Sequence, residues 1–248
     1  MVSNKDGHMS LEMFVAELLA IPEAERGPLA SPKKTGVTSY PIPFFGRVDV
    51  ARVLTVGVNP SAGEFQNRGW PSHVDGHYLT QRLLQYFERG SAHPHPWFRV
   101  WQSALRTLDI SYLTGDAAHI DISPWATAAM SQNDPEDFAA MMQRDIPKMF
   151  NLIDKLINVR LLLMAGTVTK KYYMNDFVAR TCKNSGWELA GPSPNSGAGR
   201  VAFQVLKKGQ RALPCFFCSV SPSSYNNAEL LVQRVDESSD KLRLWLEG

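Results

Sequence analysis

Cysteine is scarce in this chain, with three in 248 residues. Three thiols cannot form the disulfide framework of a small secreted domain, nor supply the four ligands of a zinc ribbon. Cys215 and Cys218 make a C-x-x-C inside an apolar run. In a strand that spacing turns the two side chains to opposite faces, so they read as core rather than as a redox or metal pair. Long apolar stretches are also missing. No run spans a bilayer and the N-terminus has no apolar signal core, so no membrane partner is expected and the chain reads as cytoplasmic. Charge of one sign is not in excess: 26 Lys+Arg stand against 24 Asp+Glu, a net charge of +2. A nucleic-acid partner would therefore be held by local basic clusters and not by an overall field. There is no G-x-G-x-x-G, Walker A, G-x-S-x-G or paired C-x-x-C, which removes the common dinucleotide, phosphotransfer, serine-hydrolase and zinc-ribbon chemistries.

What is present is an ordinary globular composition, 44% apolar and 20% charged, on a chain long enough for one sizeable core. Met1 to Met9 is polar and contributes nothing to the fold reading. Leu11 to Leu19 has helical apolar spacing, and a Pro/Gly/Lys-rich loop follows through Gly36. Apolar strand runs appear at Val48 to Val58, Ala117 to Ser123, Val159 to Ala165 and Leu213 to Ser219. Helical segments lie between and after them: Tyr78 to Arg89, Trp97 to Leu108, Asp134 towards Ile157, Thr167 to Cys182 and Asn226 to Leu246. Asp134-Pro135 reads as an N-cap with proline in the first turn. Trp187 to Ala190 and Val201 to Lys207 are expected to pair as short strands. Strands alternating with helices imply an α/β protein, three-layered α/β/α, with a central, mostly parallel four-stranded sheet. Residues 1–44 form a helix-and-loop extension and residues 45–248 the α/β domain, expected as a monomer.

Two segments point to chemistry. Arg52-Val-Leu-Thr-Val-Gly-Val-Asn-Pro-Ser61 and Pro214-Cys-Phe-Phe-Cys-Ser-Val-Ser-Pro-Ser-Ser224 each run from a buried strand into a polar, Pro-containing turn. Open α/β sheets bind ligands at the carboxyl ends of such strands, so the two loops should face one site. Gly-x-Asn-Pro early and x-x-Ser-Pro-Ser late resemble the paired motifs of the uracil-DNA glycosylase superfamily, in its mismatch-specific and single-strand-selective branch. The order of elements over residues 45–246 is similar as well.

The resemblance implies roles for individual residues. Asn59 falls where relatives orient the attacking water; read alone, it is a turn cap before Pro60. Ser219 falls where most relatives place a histidine that hydrogen-bonds the departing base, a departure from the family pattern. Asp121 falls at or beside the strand-two asparagine that reads uracil. A carboxylate accepts where uracil's O4 also accepts, so Asp121 suits the exocyclic amino group of cytosine; it reads equally as a strand-end cap. Val58 and Ser123 line the expected base pocket, with one of Phe65, Trp70 and Trp125 stacking on the base; Trp125 reads equally as core. Ser221 and Ser223 match positions that grip phosphates beside the flipped nucleotide, Ser61 is expected as a further DNA contact, and Tyr225 could wedge into the vacated stack. Lys170 and Lys171, at a helix start, and Arg200 are further DNA contacts. The implied activity is that of a monofunctional DNA glycosylase without cofactor. It would flip a pyrimidine from double- or single-stranded DNA and hydrolyse its N-glycosidic bond. The coherent substrate is a modified cytosine, such as a hydroxymethylated or glycosylated base of phage DNA, which would make the enzyme antiviral. The alternatives are conventional uracil or mismatch repair, and a catalytically silent DNA-binding relative. His73, His77, His93 and His95 with Asp75 raise metal ligation, but Gly76, Pro94 and Pro96 break any rigid display, and no metal is expected.

Overall fold

The computed structural model describes residues 4–31, 35, 39–63, 74–88, 96–128, 133–169, 172–192, 199–222 and 228–247. Its strands are β1 (Phe44–Phe45), β2 (Val53–Gly57), β3 (Ala117–Asp121), β4 (Leu161–Ala165), β5 (Thr167–Thr169), β6 (Tyr172–Tyr173), β7 (Glu188–Ala190), β8 (Val201–Lys208) and β9 (Arg211–Cys218). Seven of them form one sheet in the order β1-β3-β2-β4-β9-β8-β7, flanked by helices, while β5 and β6 make a separate hairpin. The four strands expected from the apolar runs lie side by side at the centre and are mutually parallel. Every residue of β2, β3 and β4 is buried. Strands covered on both faces have no polar side to show, which is why these read as near-continuous apolar runs.

The expected four-stranded sheet is therefore the middle of a wider one. β1 adds an antiparallel edge to β3. On the other side β8 pairs antiparallel with β9 along its whole length, and β7 pairs with β8. The cause is local. Gly209-Gln210 makes a two-residue turn with Gly209 at a φ of +56°, and such a tight turn returns the chain directly as a hairpin. β8 thus joins the main sheet as well as pairing with β7.

The helices are α1 (Asn4–Leu19), α2 (Gly76–Leu84), α3 (Pro96–Arg106), α4 (Pro135–Lys155), α5 (Met174–Thr181), α6 (Ala228–Glu237) and α7 (Ser239–Glu247). α1 starts earlier than the apolar spacing indicated, but its buried face, Leu11, Phe14, Val15 and Leu18, has the i, i+3, i+4, i+7 repeat that marked it. The α4 start is as expected: the Asp134 carboxylate accepts from the backbone N–H of Glu136 and Asp137 at 2.8 and 3.2 Å. Two helical expectations are corrected. The β-branched run Thr167-Val-Thr169 goes extended into β5, so α5 begins only at Met174. The closing helix breaks at Ser238, whose hydroxyl donates to the Arg234 carbonyl 2.8 Å away and competes with the helical ladder.

The N-terminal segment belongs to the same hydrophobic core as the sheet. Arg144 of α4 clamps it, donating to the Glu25 and Arg26 carbonyls at 3.1 and 2.8 Å. Residues 42–45 then run along the outer edge of β3, with Ile42 N–H donating to Pro124 O and Asp121 N–H to Pro43 O. This lacing delivers Phe45 opposite His119 in the β1–β3 register. On the parallel side Gly57 stands opposite Asp121, and Ala165 opposite Cys218. The carboxyl ends of the central strands are therefore level, and the loops that follow share one edge of the sheet.

Candidate active site at the carboxyl edge

A small cavity of about 90 Å³ opens where β2 and β3 end, lined among others by Gly57, Val58, Asn59, Pro60, Ser61 and Asp121. Its aromatic wall is Phe45 from β1 with Trp97 and Phe98 from the first turn of α3. Drug-sized ligands occupy clefts of roughly 300–1,000 Å³, so this one accepts a single ring and not a whole nucleotide.

The Asn59 amide is pinned. Its Nδ2 donates to the Pro60 carbonyl at 2.9 Å, the Trp125 carbonyl at 3.3 Å and Thr127 Oγ1 at 2.9 Å. With the nitrogen engaged on the β3 side, Oδ1 remains as the acceptor for a ligand or a water. The two loops that carry it continue the parallel pairing past the strands: Ile122 and Ser123 donate backbone N–H bonds to Gly57 and Val58, and Ser61 bridges to Thr127. The Asn59 position is therefore set by backbone as firmly as a strand residue.

Asp121 is 4% exposed, and beside it lies His119, a residue the sequence reading passed over. His119 Nε2 and Asp121 Oδ1 are 3.2 Å apart. Residues two apart on a strand share a face, and the space for both comes from the neighbouring strand. A Cβ on Gly57 would collide with Asp121 Oδ1 and stand 2.7 Å from the imidazole Cε1 and Nε2. The glycine of Gly-x-Asn-Pro is thus required by close packing against the His–Asp pair. The imidazole sits in a box of rings, with centroids of Trp97 at 4.4 Å, Phe98 at 5.2 Å and Phe45 at 5.7 Å. On its other nitrogen, Nδ1 lies 3.0 Å from Thr55 Oγ1, and Thr55 in turn meets the Tyr112 hydroxyl. Burial pushes the Tyr112 phenol well above its ordinary value, the nearby Asp121 charge adding to the shift.

The structure brings Val58, Asn59, Ser61 and Asp121 together and separates them from other expected site residues. Trp125 is a correction: it is 1% exposed, does not line the cavity, and packs beneath the Arg26 guanidinium 4.9 Å from its centroid. Its contribution is the carbonyl that holds Asn59. Ser123 is fully buried and donates to Asp145 Oδ2 at 2.7 Å, so it anchors α4 and does not line the cavity. Ser219 follows β9, two strands from β2, or about 10 Å at the usual strand spacing. Its hydroxyl accepts from the Arg200 backbone N–H at 3.0 Å, away from Asn59 and Asp121. Ser221 lies against Gly166, just past the end of β4, close enough that a Cβ there would stand 3.1 Å from its Cα. Arg200 is exposed near the start of β8. Phe65, Trp70, Lys170, Lys171, Ser223 and Tyr225 lie outside the described residues, as do His73, His93 and His95. Of the remaining histidine cluster, Asp75 caps α2 through the Tyr78 N–H and His77 meets Glu12.

The cysteines are buried and unpaired. Burial pushes the Cys215 thiol up to about 12 and raises Cys182 and Cys218 as well, as expected of core thiols. Among the described residues no group of three metal-ligating side chains assembles, and no helix is long and apolar enough to cross a membrane.

No family model matches the chain, and no curated protein matches it.

Proposed function

We propose that the protein is a monofunctional DNA glycosylase with a uracil-DNA glycosylase-like α/β/α fold. It hydrolyses the N-glycosidic bond of a flipped, modified cytosine. The observation that carries the reading is the meeting of Asn59 and Asp121, from separate strands, in one single-ring cavity walled by Phe45, Trp97 and Phe98. The rings supply a stacking surface for a planar base. Asn59 Oδ1 is the acceptor that orients a water towards the anomeric carbon. An amide removes a proton poorly, so the reaction depends on easy departure of the base.

Asp121 supports that departure for cytosine and opposes it for uracil. A carboxylate facing the amino edge accepts from N4–H and stabilises a proton on N3 by a charge-assisted pair. The N1–C1′ bond electrons then pass to a base already protonated from solvent, which leaves neutral. Water bonds to C1′ and returns one proton to solvent, so the reaction balances as hydrolysis. Uracil would set O4 against the carboxylate. Room for a C5 substituent is supported by the exposed Ser61 at the rim and by Gly63, where among the described residues a Cβ would meet only Ser61 Oγ at 3.4 Å. The bases that fit are those of hydroxymethylated or glycosylated phage DNA, which makes a defence role the natural one.

The test is product analysis. A duplex with one 5-hydroxymethylcytosine should yield the free base by mass spectrometry and an aldehyde-reactive abasic site in equal amount, faster as pH is lowered through neutral. Release of neither product from any modified cytosine contradicts the proposal.

A further inference from the structure

Behind Asp121 runs a buried series of hydrogen bonds whose direction can be worked out. Tyr112 is 3% exposed, its ring stacked on Phe87 at a centroid distance of 4.5 Å. Its hydroxyl meets Thr55 Oγ1, and a buried phenol that keeps its proton donates it. In the opposite polarity that proton would have no acceptor among the described residues, at the full desolvation cost of an unmade bond. Thr55 Oγ1, already accepting, turns its own proton to His119 Nδ1 at 3.0 Å in preference to the Ala118 carbonyl at 3.5 Å. An imidazole that accepts at Nδ1 carries its proton on Nε2 when neutral. Nε2 then donates to Asp121 Oδ1 at 3.2 Å. The missing Cβ of Gly57 is what lets the last two members meet.

We infer that Tyr112, Thr55 and His119 are positioning residues that hold Asp121 as a hydrogen-bond acceptor and so make the site select an amino-bearing pyrimidine over a carbonyl-bearing one. This rests on the glycosylase reading for its substrate, but not for its polarity. If His119 were removed, Asp121 Oδ1 would lose its donor and the carboxylate would no longer be held against the amino edge of the base. The relay therefore sets specificity through His119, which lines the cavity beside Asp121, and through Thr55 and Tyr112 behind it.

Two measurements test it on the full chain. In ¹⁵N spectra of labelled protein, assigned with His119→Gln, His119 should carry its proton on Nε2 with Nδ1 unprotonated. A proton on Nδ1, as the other tautomer or as imidazolium, overturns the inference whatever the activity. The second compares duplexes that carry 5-hydroxymethylcytosine or 5-hydroxymethyluracil, which share the C5 group and differ at the edge Asp121 faces. His119→Leu should lower the cytosine-to-uracil excision ratio roughly tenfold or more, the scale of one discriminating hydrogen bond. His119→Gln, which keeps a donor to Asp121, should hold it near the wild-type value. Should His119→Leu not fold, Tyr112→Phe removes one hydroxyl and should shift the ratio in the same direction. An unchanged ratio in the folded variants overturns the inference. Release of neither base by the wild type would count against the glycosylase reading instead, and the tautomer would decide the polarity.

Discussion

Asn59 does more than face the cavity. Its Nδ2 ties the loop after β2 to the loop after β3 through Trp125 and Thr127. Asn59→Ala should abolish base release and also lower stability, by about 1–3 kcal/mol for the stranded acceptors. Asn59→Asp should cost more than alanine, because it sets an anionic oxygen against the Pro60 and Trp125 carbonyls. Thermal unfolding of the two variants checks the order; an aspartate variant as stable as wild type would show that the amide is not held as described. Gly57→Ala is predicted to separate His119 from Asp121 and cost about 1–3 kcal/mol by overpacking. At this scale the sequence was partly legible. Asn59 and Asp121 stood out through the family resemblance, which the apolar runs before them put in register; taken alone each reads as a cap. His119 did not, since a lone histidine in Ala117-Ala-His-Ile reads as core, although its two-residue spacing from Asp121 placed both on one face. Trp125 stayed open between base and core because a strand-end position does not say whether the following turn aims a ring at the cavity or back inside; it is core.

Among the elements, the parallel strands were readable because burial on both faces writes itself as an unbroken apolar run. β1 was not: two residues carry no period, and only the lacing of residues 42–45 along β3 makes them a strand. The wall residue Phe45 was invisible for the same reason. α4 supports the site from beneath through Asp145, fully buried and accepting from Ser123, Arg144 and Lys148 at 2.7 to 2.9 Å. Removing it strands the Arg144 guanidinium and, in the loop after β3, Ser123. Asp145→Ala should cost about 3 kcal/mol in urea unfolding and reduce base release although the residue lies outside the cavity. A stability within about 0.5 kcal/mol of wild type, the range of ordinary surface changes, would contradict this.

For the whole molecule, a net charge of +2 means that the proposed DNA contact would have to be local. Replacing Lys170 and Lys171 together should weaken binding to all sequences alike and flatten the salt dependence by about one to two in the log–log slope. A change confined to base preference would remove them from the backbone contacts. The three buried thiols, all with raised pKa, should react slowly with a thiol reagent at mildly alkaline pH in the native state and fully on unfolding. A fast-reacting native thiol would contradict their place in the core.

Asn59 and Asp121 are proposed to form a glycosylase site for a modified cytosine. The most direct measurement incubates wild type and Asn59→Ala with matched duplexes carrying uracil, a thymine mismatch, 5-hydroxymethylcytosine or its glucosylated form, and then reads strand scission after alkali. Scission at the modified cytosines by the wild type, and none by the variant, is the expected result. Preferred scission at uracil, or equal scission by both proteins, would contradict it.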